Sequence, residues 1–136
     1  MHLKSQVSIE YMLIMGFATL MVLPLLLIYY TYSSDSKDAV GTGQAMQIAR
    51  KIVDSSESVY YLGKPSQTTL KLNFPEGIQS TNISGKEIIF KMRTNQGIAE
   101  IVQVASVNMS GTIPKSQGIH IITFKAEEGY VKITSN

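Results

Sequence analysis

The side chains most able to do chemistry lie close together near the N-terminus. Gln6, Ser8 and Glu10 alternate with apolar residues, and Glu10 stands directly before Tyr11–Tyr32, a run of 22 residues without a charged side chain. A charge inside a bilayer costs roughly 2.5–3.5 kcal/mol on insertion scales, so charged residues at such places are often functional. The plainer alternative is that Glu10 only marks the headgroup boundary, where a carboxylate is cheap to keep. The spacing alone leaves both interpretations open.

The apolar run has the length and the flanking residues of a membrane span. At about 1.5 Å per residue, a helix of this length extends roughly 33 Å and crosses the ~30 Å hydrocarbon core. Tyr11 lies at one end and Tyr29, Tyr30 and Tyr32 at the other, where amphipathic rings favour the water interface. Lys4 precedes the run, so the positive-inside rule predicts a cytoplasmic N-terminus and a remainder outside.

Two other interpretations of this run compete with a membrane span. The core helix of a soluble protein must be covered on all sides, and a domain of this size is too small to do so. A conventional secretory signal has about 7–15 apolar residues and ends at a small-x-small cleavage site. The weak match, Thr31-Tyr32-Ser33, follows a run that is too long for such a signal. The sequence therefore predicts a precursor that keeps its apolar helix.

The segment Gln6-Val7-Ser8-Ile9-Glu10-Tyr11, with the apolar run behind it, resembles the class III signal peptide of archaeal type IV pilin-like proteins. The resemblance covers Lys4 to about Tyr32. It implies that a prepilin peptidase cuts between Ser5 and Gln6, removes residues 1–5 as a leader, and leaves residues 6–32 as the transmembrane and assembly helix. Family members often carry glycine before the cut, where this chain has the equally small Ser5.

The same resemblance implies a pairing role for the new N-terminus. Cleavage creates an α-ammonium at Gln6, and the reference pKa of such a group is about 7.7–8.0, so it is mostly charged at neutral pH. In a dry filament core an ammonium and a carboxylate each need a partner. The family pattern pairs the terminus of one subunit with the glutamate of a neighbour, here Glu10. Ser8 belongs to the motif, although a serine here also has the alternative role of capping a helix start.

The remainder, residues 33–136, is predicted to be an extracellular α+β domain. From about Ser33 to Tyr61 the pattern is helical, Gly41–Gly43 predicts a flexible or bent place, and Gly63 with Pro65 ends the helix. An apolar stripe is predicted to face the rest of the domain. Its members are Val40, Met46, Ala49, Ile52, Val53, Val59 and Tyr60.

After Pro65 the apolar period changes to two, which is typical of strands. Four or five strands are predicted, from candidates at Thr69–Phe74, Ile88–Met92, Ile98–Ala105, Gly118–Ala126 and Tyr130–Thr134. Together they predict an α+β fold in which a long N-terminal helix, first transmembrane and then amphipathic, packs on a C-terminal antiparallel β-sheet. A long helix with such a sheet is also the plan that the resemblance to type IV pilins implies.

Two sequons offer modification sites if the domain is exported. They are Asn82-Ile83-Ser84 and Asn108-Met109-Ser110, and both are predicted to lie between strands, where a sugar stays solvated. In a chain rich in serine and threonine, such triplets also arise by chance. Glycosylation of Asn82 and Asn108 is therefore an expectation that the sequence leaves open.

The composition argues against several other functions. The net charge is +2 with the signs interspersed, so there is no basic stripe of the kind that binds nucleic acid. The chain has no cysteine, and its histidines, His2 and His120, have no companion at metal-ligand spacing. No phosphate loop or nucleophile elbow is present. We predict no enzyme activity, no metal and no cofactor, and a structural place for His120 in its strand.

The sequence thus predicts a structural subunit of an extracellular, type IV pilus-like filament used for surface adhesion. Its partners would be further copies of itself, the membrane while it is a precursor, and the prepilin peptidase with the pilus assembly machinery. The alternative is an extracellular binding domain on a membrane anchor that never polymerises. The two differ in whether the mature protein starts at Gln6 and enters surface fibres.

Overall fold

A computed structural model describes the backbone of residues 2–136 and the side chains from Val7 onward. The described chain forms one 61-residue helix followed by strands, which confirms the α+β class. The elements are α1 (His2–Leu62), β1 (Gln67–Phe74), β2 (Ile78–Ser84), β3 (Glu87–Thr94), β4 (Gly97–Val104), β5 (Met109–Gly111), β6 (Gly118–Ala126) and β7 (Val131–Ser135).

The contacts divide the chain into two compact units, one reaching to Lys37 and the other covering Asp38–Asn136. The first unit is helical throughout its described residues. Its hydroxyls turn back onto the helix: Thr19 Oγ1 donates to the Met15 carbonyl at 2.8 Å and Thr31 Oγ1 to the Leu27 carbonyl at 3.0 Å. Such bonds to the preceding turn satisfy polar groups without water, which suits a helix in an apolar surrounding.

The helix α1 passes through Gly41 and Gly43 without a break, and it ends as the sequence predicts. A Cβ at Gly41 would lie 3.5 Å from the Met92 Cε, an ordinary van der Waals contact, so the space at this position does not require glycine. Gly63 has a φ of +76°, a left-handed conformation that favours glycine at a helix C-terminus. Its N–H donates to the Tyr60 carbonyl at 3.0 Å and closes the last turn.

The strands form two sheets, whereas the sequence pattern predicted one antiparallel sheet. The four-stranded sheet has the order β1-β6-β7-β5 and the three-stranded sheet the order β2-β3-β4. All pairs are antiparallel except β5 with β7, which is parallel. The five strand candidates correspond to β1, β3, β4, β6 and β7, and β6 has the predicted bounds.

The strands β2 and β5 were missed because each lacks the period-two signal. The sequence of β2, IQSTNIS, has only Ile78 and Ile83 as apolar residues, and β5 is only three residues long. Such segments become strands through the partner that they pair with, since strand preference depends strongly on context. One sequon is affected, because Asn82 lies within β2 and not between strands as predicted.

The buried stripe of α1 is shifted relative to the predicted one. Ala49, Ile52, Val53 and Val59 are buried as expected, and Tyr60 is half-buried. The predictions for Val40 and Met46 were wrong, because these side chains are 60% and 38% exposed. The smaller Ala45 and the neighbouring Ile48 take the buried positions in this turn of the helix. The buried residues keep the helical spacing of three and four. The predicted buried face of α1 is therefore confirmed from Ala49 onward and is wrong before Ala49.

The core combines this stripe with the inner faces of both sheets in a single apolar cluster. Phe74 of β1 lies 6.2 Å from the ring of Phe90 in β3, so aromatic contact joins the two sheets. Phe124 of β6 is fully buried beside them in the cluster. The buried Ser56 directs its hydroxyl to the Ile52 carbonyl at 2.7 Å, so the stripe carries no unsatisfied polar group there.

Two carboxylates attach α1 to loops between the strands. Asp38 Oδ2 accepts a 2.7 Å hydrogen bond from the Asn95 N–H, in the turn between β3 and β4. Glu57 Oε1 accepts from the Ser106 N–H at 2.7 Å and from the Ser106 hydroxyl at 2.9 Å. Both of the latter bonds stabilise the ionised carboxylate and lower the pKa of Glu57, the backbone bond more than the hydroxyl bond.

The lowered pKa of Glu57 predicts a pH-dependent contribution to stability. A depressed folded-state pKa stabilises the fold above the ordinary value of 4.5, and the contribution is lost as the pH falls through the folded-state value. We therefore expect Glu57→Gln to lower the free energy of unfolding by about 1 kcal/mol at pH 7. The difference from the unmodified chain should shrink below pH 4.5.

The measurement is thermal unfolding of the full chain in detergent micelles, followed by near-ultraviolet circular dichroism at pH 7 and in acid. Glu76→Gln, at an exposed position between β1 and β2, is the matched control. A stability difference for Glu57→Gln that does not change with pH would contradict the assigned role of the carboxylate.

Candidate membrane and assembly segment

The apolar part of α1 is uncovered along its whole described length. Its large apolar side chains between Val7 and Tyr32 are 50–80% exposed, and none of its most apolar 18-residue window is buried. This helix is long and apolar enough to cross a membrane. The contrast with the buried stripe from Ala45 to Val59 is sharp. The segment is compatible with membrane insertion, and the side chains that the domain itself needs for its core lie elsewhere.

Glu10 stands on this apolar segment. It is exposed, and its neighbours one turn away on the helix, Val7, Leu13 and Ile14, are apolar side chains with exposed fractions of 64%, 68% and 67%. Residues three and four apart share a helix face, so the carboxylate projects from an apolar surface. Any helix that packs against this face must remove water from the Glu10 carboxylate, which is costly unless a positive group pairs with it.

The predicted cleavage site precedes Glu10 in the same helix. The backbone of Ser5 and Gln6 is helical, and their side chains lie outside the described residues. Gln6 and Glu10 are four residues apart, which in a helix is about one turn and roughly 6 Å along the axis. An α-amino group created at Gln6 would therefore lie at the same end of the apolar segment as the carboxylate.

Ser8 does not cap the start of the uncut helix. The helix begins at His2, so Ser8 lies in its second turn, beyond the position where a side chain satisfies the first free N–H groups. The capping alternative for Ser8 is thus wrong for the uncut chain. In a chain starting at Gln6, the same residue would lie in the first turn.

Pro24 lies within the apolar segment and removes one helix hydrogen bond. A proline has no N–H, so the carbonyl of Leu20, four residues before it, loses its usual helical donor. Within a bilayer this carbonyl must be satisfied by a neighbouring group, a water molecule or a local change in the helix. The helix nevertheless continues through Pro24 to Leu62.

The two sequons differ in their surroundings. Asn82 is exposed on β2, in register with Ile89 of β3. Asn108 is exposed immediately before β5, and its carbonyl accepts a 2.9 Å hydrogen bond from the Val131 N–H. Both side chains are accessible, so accessibility does not distinguish the two sites.

His120 lies in β6 and is half-buried. Its ring contacts Phe74 edge-on at 5.5 Å, and its Nε2 lies within hydrogen-bonding distance of the Ser116 hydroxyl and carbonyl, at 3.1 and 3.0 Å. These contacts hold the ring against the sheet. Among the residues from Val7 onward, no three histidine, aspartate or glutamate side chains are grouped as metal ligands would be.

Comparison with known proteins adds no family assignment. No protein-family model, curated protein or solved structure matches the chain.

Proposed function

We propose that the chain is the subunit of an extracellular filament of the type IV pilus kind, made as a membrane-inserted precursor. The observation that carries the proposal is the exposed apolar segment of α1 with Glu10 on its surface. A membrane anchor alone needs only the apolar side chains. A carboxylate one turn from the predicted cleavage point gives the helix a specific electrostatic partner for another copy.

In this proposal the segment has two successive environments. In the precursor its apolar side chains contact lipid, and Glu10 lies near the cytoplasmic headgroups. After removal of residues 1–5, the helices of many copies pack together, and the Gln6 ammonium of one copy pairs with the Glu10 carboxylate of another. The uncut precursor has no ammonium at Gln6, so cleavage permits assembly. The domain from Asp38 onward then covers the helical core and meets the surroundings, where adhesion would take place.

Processing is the first test of the proposal. We expect mature protein from membranes and from sheared surface material to begin at Gln6 and to retain the apolar helix. Ser5→Phe should block the cut, because it puts a large side chain where a small one is expected, and Ser5→Gly should leave processing unchanged. Intact-mass measurement and N-terminal sequencing show whether residues 1–5 have been removed from each variant.

A mature chain that begins near Ser34 would mean conventional secretion and would remove the filament proposal. A chain that keeps Met1 and never enters sheared material would instead support an anchored binding domain that does not polymerise.

A further inference from the structure

The outer face of the three-stranded sheet carries a row of side chains that begins at a sequon. Asn82 of β2 is in register with Ile89 of β3, and Ile89 is in register with Val102 of β4. Residues directly opposite each other on neighbouring strands project from the same face of a sheet. Ile83 packs against the core, so the exposed residues on either side of it, Asn82 and Ser84, project outward. Asn82, Ile89 and Val102 therefore form one outward-facing row.

The far end of this row is an apolar strip formed by Ile89, Val102 and Val104. Val102 is 44% exposed, Val104 on the same face of β4 is 64% exposed, and Ile89 in the central strand is half-buried. Lys91 and Glu100, which are in register with each other, border the strip on one side. The strip is thus apolar surface in contact with water, and removing it from water is favourable.

The apolar strip lies within reach of a sugar attached to Asn82. Neighbouring strands are about 4.7–4.9 Å apart, so two strand spacings, or roughly 10 Å, separate Asn82 from Val102. A sugar on the Asn82 amide nitrogen stands beyond the tip of that side chain, beside its cross-strand neighbour Ile89. One face of a sugar ring is lined by C–H groups, so the ring can cover Ile89 and Val102 while its hydroxyls stay solvated. Because β2 is an outer strand of its sheet, further sugars can extend into solvent.

We propose that an N-linked sugar on Asn82 covers this apolar strip. The sequon determines the occupant, because an Asn-x-Ser triplet accepts an N-linked sugar, and both of its polar residues lie on the same face as the strip. The sequence analysis placed this sugar between strands, in solvent; on β2 it lies against the face of a sheet. The inference rests on the extracellular place of the domain in the proposed function, and not on cleavage at Gln6 or on polymerisation.

Mass spectrometry of the protein from its own cells tests the modification. Trypsin cleavage after Lys71 and Lys86 releases residues 72–86, in which Asn82 is the one sequon asparagine. We expect this peptide to carry the additional mass of a sugar. Ser84→Thr keeps the triplet and should keep the sugar, whereas Ser84→Ala should lose it although Asn82 itself is unchanged.

A double-mutant cycle tests the contact between the sugar and the strip. Asn82→Gln removes the sugar and should lower the Tm of the full-length glycosylated protein in detergent micelles. The expected shift is about 2–4 °C, as for a small loss of apolar burial in a domain of this size. When Val102→Thr is already present, Asn82→Gln should lower the Tm less, because the strip has lost an apolar side chain.

Ile98→Thr is the matched control for Val102→Thr. Ile98 is exposed on the same face of β4 but is in register with Arg93, away from the row. The effect of Asn82→Gln on the Tm should therefore be the same with and without Ile98→Thr. In protein made by a host that lacks N-glycosylation, Asn82→Gln should leave the Tm unchanged, because no sugar is lost.

An unmodified Asn82 peptide, or a Tm shift from Asn82→Gln that does not depend on Val102, would overturn the proposal. An equal Tm shift in protein that never carried a sugar would do the same. A sugar on Asn82 in a chain that keeps Met1 and never enters fibres would keep this inference and count against the filament. Fibres whose Asn82 carries no sugar would keep the filament and remove this inference.

Discussion

Replacing Glu10 with glutamine should abolish or greatly slow fibre formation while leaving the chain in the membrane. Glutamine keeps the size and the hydrogen-bonding capacity of the side chain and removes its charge. In the proposed filament the change leaves the Gln6 ammonium of each neighbour buried without its partner. Removing one member of a buried ion pair costs about 3–5 kcal/mol, and the cost recurs at every subunit.

Membrane insertion should survive the change, because the apolar run from Tyr11 to Tyr32 is untouched. The measurement compares fibre yield with the amount of processed, membrane-bound protein in the two chains. Glu10→Asp is the matched control: it keeps the charge on a shorter side chain and should retain part of the fibre yield. Normal fibres from Glu10→Gln would mean that Glu10 is only a boundary residue, and the register mechanism would have to be dropped.

Most strands of this fold can be predicted from the sequence, because apolar and outward-facing residues alternate along their whole length. In β3 and β6, apolar residues on one face alternate with polar or exposed ones on the other, as at Ile88, Phe90 and Met92. The division into two sheets could not be predicted in the same way. It depends on which strands pair, and the parallel contact of β5 with β7 joins segments whose own sequences carry no pairing signal.

The helical stripe shows a similar limit. Periodicity places Ile52 and Val59 in the core, yet Val40 and Met46 continue the apolar pattern and remain exposed. Ala45 is fully buried instead, and Met46 lies one position further round the helix. Small residues give a weak signal in a hydrophobic pattern, although a close approach requires them.

Glu10 and the outer face of β4 differ in how much of their surroundings can be predicted from the sequence. Glu10 is conspicuous in the sequence because one carboxylate adjoins an uncharged run, and no tertiary contact is needed to notice it. The exposure of Ile98, Val102 and Val104 in β4 is not evident from the sequence, because apolar residues in a strand usually indicate a buried face. Only the strand order shows that the outer face and one edge of this strand are open.

Replacing Gly111 with alanine should be among the most damaging single changes in the domain. Gly111 has a φ of +137° and is the residue of β5 that pairs with Ile133 of β7. An added Cβ would clash with the Ile133 carbonyl oxygen and come within 2.8 Å of its carbonyl carbon, and backbone atoms cannot move aside like a flexible side chain. Conformational strain and overpacking each cost about 1–3 kcal/mol, so we expect a loss of roughly 2–6 kcal/mol.

Gly118 provides the matched control for this change. Its φ of +119° also lies in the region that favours glycine, yet nothing stands within 4 Å of a Cβ added there. Gly118→Ala should therefore incur the conformational strain without the clash and lose about 1–2 kcal/mol. Thermal unfolding of both full-length variants in the same detergent separates the two contributions. Equal losses would show that β5 moves away from Ile133 at little cost, and that the parallel β5–β7 pair contributes little to holding the four-stranded sheet together.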